Sequence, residues 1–187
     1  MSDLLPFFRA WVADPRRVCA ISPSGPALAA LMTSEISPAI SSVLELGAGT
    51  GVFTRALIAR GLDEADLTLV EAGADLARLL SMRYPRARIL HTDATRLAQR
   101  DLYPAFSLGA VISGLPLLSM NSRQVMGVLN GAFRYMRPGG AFYQFTYGPH
   151  CPVPSAILDR MGLYSTRIGT IMHNVPPSSV YRISRIP

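Results

Sequence analysis

Three alternate glycines, followed later by an acid, are the residues of this chain whose types and spacing best suggest chemistry. Gly47, Gly49 and Gly51 come directly after the run Val43–Leu46. Because glycine adopts left-handed backbone conformations and lets a ligand approach the main chain, this pattern predicts a tight turn against a ligand. Glu71 stands 20 residues after Gly51, where an acid at the tip of a second strand accepts hydrogen bonds from both ribose hydroxyls. These residues predict a nucleotide-type pocket.

The glycine spacing differs from the dinucleotide fingerprint GxGxxG, because the third glycine comes one position early. The GxGxG run, with Glu45 two residues before the first glycine, resembles motif I of the class I S-adenosylmethionine methyltransferases. That resemblance implies S-adenosylmethionine as the cofactor; the alternative is an ordinary glycine turn. Asp93 is expected to face the adenine ring and also suits the N-cap of a helix. The predicted cofactor-binding residues are Glu45, Gly47, Gly49, Thr50, Gly51, Glu71, Ala72, Asp93, Ala94 and Ser113.

Composition predicts one folded domain with a basic surface. The chain has 187 residues, of which 49% are hydrophobic and 16% are charged, so it can bury a full core. The net charge is +6, and every basic side chain other than histidine is an arginine. Such a surface favours anionic partners, either nucleic acid or acidic lipid. Alternatively, the arginine content reflects the base composition of the source.

The cysteines and the hydrophobic runs indicate the cellular compartment of the protein. Cys19 and Cys151 are too few for a disulfide framework and lack neighbours at metal-ligand spacing, so no metal site is expected. No run reaches the roughly 20 apolar residues of a membrane-spanning helix, and the chain start lacks a basic signal-peptide opening. These features predict a cytoplasmic protein.

Strand and helix patterns alternate through most of the chain, which predicts a doubly wound α/β fold with a Rossmann-like, seven-stranded sheet. The last strands come without intervening helices, so one of them is expected to pair antiparallel. Helices are predicted over 3–13, 26–35, 51–60, 74–83 and 121–136. Strands are predicted over 42–46, 67–71, 87–91, 108–113, 140–147, 167–173 and 179–184.

The tip of the fourth predicted strand indicates the kind of methyl acceptor. Methyltransferases that act on the planar amino group of adenine carry an aromatic residue after the proline of this tip, where it stacks on the flipped base. Here Leu117 follows Pro116, so the stacking platform is missing. An sp3 amine needs only hydrogen-bond acceptors, and the backbone carbonyls of 113–115 are candidates. Ser113 and Leu115 are therefore predicted catalytic residues.

Several segments spread along the chain match one family. They are Phe7, Phe8, Trp11, 20–24, 44–54, 113–119, 144–149 and 174–177. Among them, the stretches SGLPLLS and QFTYGP are more specific than the glycine run. Through these segments the chain resembles the bacterial phospholipid N-methyltransferases. The resemblance implies methylation of phosphatidylethanolamine, through its mono- and dimethyl derivatives, towards phosphatidylcholine.

The N-terminal segment independently suits a membrane surface. Leu4, Phe7, Phe8 and Trp11 recur at helical spacing and form one bulky apolar face, close to Arg16. An amphipathic helix of this type lies in the interface of an anionic bilayer. The alternative is a lid packed over the cofactor. We therefore expect residues 1–40 to form an N-terminal helical unit that contacts the membrane or the substrate, and 41–187 to form the cofactor-binding core. The predicted location is the inner face of the cell membrane, with peripheral attachment.

Substrate contacts are predicted from charge and from the fifth strand. Tyr147 lies nearest the strand tip, where its ring can attract a methylated ammonium, and we predict it to be both catalytic and substrate-binding. Arginine and histidine side chains are candidates for holding the lipid phosphate. These candidates are Arg16, Arg17, His150 and Arg182.

Three functional hypotheses follow from the sequence. The first is lipid N-methylation, in which the acceptor is phosphatidylethanolamine or another aminolipid such as an ornithine lipid. The second is an rRNA or DNA adenine-N6-type methyltransferase, which the basic charge and the GxGxG run favour. The third is a non-enzymatic lipid-surface protein that retains a cofactor pocket, which the intact set of predicted cofactor residues argues against. The first hypothesis predicts a phospholipid substrate, an anionic membrane as partner and no nucleic acid.

Overall fold

Seven strands and five α-helices make up the part of the chain that the structure, a computed structural model, describes: residues 24–40, 42–173 and 177–187. The strands are β1 (Val43–Leu46), β2 (Leu67–Glu71), β3 (Arg88–His91), β4 (Leu108–Ser113), β5 (Met136–Tyr147), β6 (Leu163–Ile171) and β7 (Ser178–Arg185). The helices are α1 (Ser24–Met32), α2 (Val52–Ala59), α3 (Ala74–Arg83), α4 (Ser122–Tyr135) and α5 (Ser155–Arg160). Short 3-10 helices lie at Glu64–Asp66, Ala94–Gln99 and Leu117–Ser119.

All seven strands form one sheet in the order β3-β2-β1-β4-β5-β7-β6. The first five strands run parallel, and β7 lies antiparallel between β5 and β6. This is the predicted doubly wound α/β fold, and the antiparallel pairing expected near the chain end is confirmed. The strand order reverses between β1 and β4, and ligands of open α/β sheets bind outside the carboxyl ends of the strands at such a reversal.

Two apolar cores cover the two faces of the sheet. One core packs α1, α2 and α3 against one face, and the other packs α4, α5 and the 3-10 helix Ala94–Gln99 against the opposite face. The strand β4 is buried along its whole length. A buried parallel sheet reads as continuous apolar runs, which explains why β1, β2 and β4 were recognisable in the sequence.

Several predicted boundaries near the chain end were wrong. The fifth strand begins at Met136 rather than at 140, because Met136 pairs with Leu108 across an irregularity in the ladder. The sixth strand covers Leu163–Ile171 rather than 167–173. The short helix α5 stands where a loop was expected, so the last strands are not free of an intervening helix. Its six residues are too few to show helical periodicity in a sequence.

The predicted helix over 3–13, and with it most of the predicted unit 1–40, lies outside the described residues. Within the residues that the structure describes, no helix is both long and apolar enough to cross a membrane.

Candidate cofactor and acceptor site

The turn after β1 requires glycine for two physical reasons. Gly47 and Gly51 have positive φ angles of 68° and 80°, a region that side chains disfavour. Space is also lacking, since a Cβ on Gly47 would lie 2.8 Å from a methyl carbon of Leu115, and one on Gly51 would lie 2.6 Å from the ring of Tyr84. The backbone of the turn is therefore closely surrounded on two sides.

Two residues at the end of α3 hold this turn in place. Arg83 Nη1 donates to the carbonyl of Thr50 at 2.7 Å, and the Tyr84 hydroxyl donates to the carbonyl of Gly51 at 3.1 Å. Local spacing does not predict either contact, because each side chain lies 33 residues along the chain from its partner. They are supporting residues that a motif search misses.

Glu45 is a fully buried acid at the end of β1. Its Oε2 accepts a hydrogen bond of 2.6 Å from the Thr54 hydroxyl of α2, whereas Oε1 is buried without a partner among the described residues. Burial raises the pKa of Glu45 to about 8, the nearby Glu71 carboxylate adds to the rise, and the Thr54 hydrogen bond opposes it. An orphaned carboxylate oxygen beside the glycine turn suits a cofactor with an ammonium group, and S-adenosylmethionine carries one. The residues present therefore fit this cofactor.

Glu71 is positioned as expected for a ribose contact. Its Oε2 accepts from the backbone N–H of Gly49 at 2.9 Å, and its Oε1 accepts from the N–H of Gly73 at 2.8 Å. The tip of β2 is thereby tied directly to the glycine turn. Since each carboxylate oxygen accepts more than one hydrogen bond, Glu71 retains capacity for ribose hydroxyls.

Two further predicted cofactor residues, Asp93 and Ala94, follow the third strand. The Asp93 side chain caps the 3-10 helix Ala94–Gln99 by accepting from the N–H and the hydroxyl of Thr95, each at 2.8 Å. The alternative predicted for Asp93, a helix N-cap, is therefore observed. Ala94 is buried, and the carbonyl of Ala72 lies 3.1 Å from His91 Nε2.

The predicted acceptor segment, residues 113–118, lies directly beside the glycine turn 47–51, which we call the cofactor turn. Ser113 is buried and pairs with Leu46 on one side and with Gln144 on the other. The carbonyl of Leu115 accepts from Gln144 Nε2 at 3.0 Å and from the N–H of Leu117 at 2.9 Å. Both lone pairs of this carbonyl are thus engaged. The catalytic roles of Ser113 and Leu115 stay predictions.

Gln144 is a candidate site residue that the sequence reasoning did not single out. Its side chain is 1% exposed, and its Oε1 has no hydrogen-bond partner within the described part of the chain. Buried amide oxygens are normally paired, so an orphaned oxygen opposite Ser113, the last residue of β4, makes Gln144 a candidate for a ligand contact. The available signal was its place as the first residue of the stretch QFTYGP.

Tyr147 borders a second part of the site. Its ring packs edge-on against Phe145, with centroids 5.7 Å apart. A cleft of about 670 Å³ opens beside it between the ends of β5 and β6 and the start of β7. Arg167 is the one charged side chain among the described residues of its lining. The lining consists of Tyr147, Gly148, Pro149, Arg167, Ile168, Gly169, Thr170, Met172, Pro177 and Ser179.

The other predicted substrate residues are not gathered at this cleft. Arg182 lies opposite Tyr143 on the sheet and forms an ion pair of 3.1 Å with Glu35, which also accepts from the Tyr143 hydroxyl at 3.1 Å. His150 is exposed in the loop after β5. Arg16 and Arg17 lie outside the described residues. All four stay predictions.

Comparison with known proteins agrees with this geometry. Residues 43–140 match a family model described as a methyltransferase domain. An ornithine lipid N-methyltransferase of Singulisphaera acidiphila is 27% identical over 156 residues, covering 80% of each chain. The fold resembles a TehB-like S-adenosylmethionine-dependent methyltransferase from Corynebacterium glutamicum, with a TM-score of 0.66, 14% identity and coverage of 97% of this chain and 100% of that one.

A structure solved with the cofactor gives a similar result. The glycopeptide N-methyltransferase MtfA in complex with S-adenosylmethionine aligns with a TM-score of 0.60 at 14% identity, covering 87% of this chain and 94% of that one. The family match spans both the glycine turn and the acceptor segment, and the site fits the cofactor. The chain therefore belongs to the methyltransferase-domain family and is a class I methyltransferase that uses S-adenosylmethionine.

Proposed function

We propose that this methyltransferase methylates the primary amine of a lipid head group, with phosphatidylethanolamine as the acceptor. The observation that carries the proposal is the cleft beside Tyr147. It lies at the carboxyl edge of the sheet, where the glycine turn also lies, and the described residues of its lining combine apolar walls with one arginine, Arg167. A phospholipid presents hydrocarbon, a phosphate and an amine close together, which matches such a lining.

The acceptor segment supports an sp3 amine over a nucleobase. Leu117, which takes the place of the stacking aromatic of adenine methyltransferases, is 2% exposed and packs in the core. A buried leucine offers no face on which a flipped base can stack. This arrangement weighs against the alternative of an rRNA or DNA adenine methyltransferase.

Methyl transfer to an amine requires little of the protein beyond positioning the amine next to the methyl donor. When bound, S-adenosylmethionine supplies an electrophilic methyl group. An ammonium has no lone pair, so the substrate must reach this site as a neutral amine, and burial lowers the pKa of an amine. Gln144 Oε1 can accept an N–H of that amine and thereby orient its lone pair. No strong base is required, since proximity and orientation supply much of the acceleration.

Tyr147 and Arg167 have complementary roles in this proposal. The Tyr147 ring stabilises the methylated ammonium through cation–π attraction, which helps when the product carries a permanent charge. The Arg167 residue is exposed and its guanidinium forms no hydrogen bond with a described residue, so this group can contact the lipid phosphate. Arg16, His150 and Arg182 remain further candidates for this contact.

The amphipathic N-terminal segment supports action at a membrane surface. In the sequence, Phe7, Phe8 and Trp11 recur at helical spacing, and Arg16 and Arg17 follow. We propose that this segment attaches the protein peripherally to the inner face of the cell membrane, where anionic lipids attract arginines.

Ornithine lipid is the second candidate acceptor. The relative from Singulisphaera acidiphila, which matches 80% of this chain, is named for this substrate. Ornithine also carries a primary sp3 amine, so the arguments from Leu117 and Gln144 apply equally. The two candidates differ in the anion that Arg167 would contact, a phosphate or a carboxylate.

Incubation with methyl-labelled cofactor tests the proposal. The acceptors are vesicles containing phosphatidylethanolamine, vesicles containing ornithine lipid, and total RNA. We expect label in the phosphatidylethanolamine vesicles; label in ornithine lipid alone would select the second candidate, and label in RNA alone would refute lipid methylation. Arg167→Gln should raise the lipid KM by about tenfold, whereas Arg78→Gln, an exposed arginine on α3, should leave it unchanged.

A further inference from the structure

A second and larger cleft, of about 990 Å³, lies on the sheet face that α4 and α5 cover. None of the predicted cofactor or acceptor residues lines it, although Thr95 at one end is close in sequence to Asp93. No carboxylate stands among the described residues of its lining. Five arginines do, namely Arg96, Arg123, Arg134, Arg160 and Arg185.

The arginines come from four different elements. Arg123 and Arg134 lie on one stripe of α4 with Gly127 and Asn130 between them, at helical spacing. Eleven residues of helix separate the two arginines by about 16 Å. Arg96 comes from the 3-10 helix on one side, and the remaining two come from α5 and the end of β7. The cleft is thus a recess with positive charge on several walls.

Three of these guanidinium groups are available for a ligand. Arg134 is held by an ion pair of 3.1 Å with Asp101, and Arg185 donates to the carbonyl of Met136 at 3.1 Å. In contrast, the guanidinium groups of Arg96, Arg123 and Arg160 form no hydrogen bond or ion pair with any described residue. The positive guanidinium groups that line this cleft repel one another, and an anion bound among them reduces that repulsion.

We propose that this arginine cleft binds a compact ligand that carries phosphoryl groups. The planar guanidinium of arginine pairs with two phosphate oxygens through parallel hydrogen bonds. Because the three available arginines come from three elements that line one cleft, together they can contact more than one phosphoryl group. A recess suits a discrete molecule better than a flat bilayer surface. The same chemistry is offered by a soluble pyrophosphate compound and by the phosphate head group of a single lipid.

Titration calorimetry with inorganic pyrophosphate tests the proposal. We expect one saturable site on the full chain, weakened at least about tenfold in Arg123→Gln/Arg160→Gln and by less than about twofold in the control Arg78→Gln. Thermal unfolding of each variant checks that it folds like the wild type. No saturable binding, or an equal loss in the control, would overturn the proposal.

Three further titrations locate the site and identify the kind of molecule that supplies the phosphate. Saturating S-adenosylhomocysteine should leave pyrophosphate binding unchanged, whereas displacement would place the anion in the cofactor pocket and refute a separate site. Water-soluble dihexanoyl phosphatidic acid is titrated in parallel. If it binds more tightly than pyrophosphate and depends on the same arginines, the source is a lipid head group; the reverse order assigns a soluble compound. A short RNA that binds through these arginines more tightly than both would contradict a compact ligand.

Discussion

Glu45 is a buried acid. Its Oε2 accepts a hydrogen bond from the Thr54 hydroxyl, and its Oε1 has no partner among the described residues. Such a group is costly to ionise in the folded protein, because burial favours the neutral form. A cofactor ammonium beside it would reverse that preference. If Glu45 contacts the cofactor ammonium, it couples cofactor binding to protonation, and its effect on stability can be measured in the absence of cofactor.

The pH dependence of stability tests this role. The unfolded chain ionises Glu45 above its ordinary pKa of 4.5, whereas the folded protein does so only near 8. Between these values the unfolded chain binds fewer protons, so the free energy of unfolding should fall as pH rises, by up to about 1.4 kcal/mol per pH unit. Denaturant titrations of Glu45→Gln should show this slope removed. The exposed control Asp159→Asn should retain it, and an unchanged slope in Glu45→Gln would contradict the assignment.

Gln144 is the second residue whose environment indicates a contact with a ligand. Gln144→Leu keeps the approximate volume but removes both the donor to Leu115 and the orphaned oxygen. We expect kcat for methyl transfer to fall by about ten- to hundredfold, since an acceptor that orients the amine is lost. Affinity for S-adenosylhomocysteine should change by less than about threefold. If affinity falls while kcat stays normal, Gln144 contacts the cofactor instead.

At the scale of elements, the cofactor turn is a junction of three parts of the fold. It follows β1, packs against the loop after β4, and is held by the end of α3 through Arg83 and Tyr84. Its conformation thus depends on α3 as well as on its own glycines.

Removal of one such support should weaken cofactor binding. Tyr84→Phe deletes the hydrogen bond to the Gly51 carbonyl, a contribution of about 1 kcal/mol, and we expect S-adenosylhomocysteine to bind about fivefold more weakly in calorimetry. Tyr164→Phe is the matched control, because this tyrosine is exposed on β6. Equal affinities in the two variants would show that α3 does not stabilise the turn.

Some elements of this fold were predictable from local sequence, and others depend on contacts with distant residues. The glycine turn and strands β1, β2 and β4 were predictable because local spacing and continuous apolar runs encode them. Helix α5 and the early start of β5 depend on contacts with distant residues, such as Met136 with Leu108. Gln144 and Arg167 were missed as site residues for the same reason, since only the folded chain shows an orphaned oxygen and a cleft lining.

At the scale of the whole molecule, the proposed membrane attachment would combine positive charge with the apolar residues of the N-terminal segment. The net charge of the chain is +6, which favours association with anionic lipid. Binding to a bilayer through both features requires that charge and apolar burial contribute together.

Vesicle flotation separates these contributions. Binding to vesicles with anionic lipid should fall by about tenfold or more in Phe8→Ala/Trp11→Ala, because two aromatic rings that the proposal places in the bilayer interface are lost. It should also fall as salt screens the arginines. The control Phe106→Ala removes an aromatic side chain that is 60% exposed elsewhere in the molecule. A loss of binding as large in the control as in the double variant would argue against an N-terminal anchor.

Lipid methylation itself is the central claim, and mass spectrometry of cellular lipids tests it most directly. The chain is expressed in a bacterium that makes phosphatidylethanolamine but no methylated lipids, beside Glu71→Ala, which lacks the carboxylate tied to the glycine turn. We predict phosphatidylethanolamine species heavier by the mass of one, two or three methyl groups with the wild type and none with Glu71→Ala. Unmodified lipids in both strains, with S-adenosylmethionine bound by the purified wild type, would contradict the account.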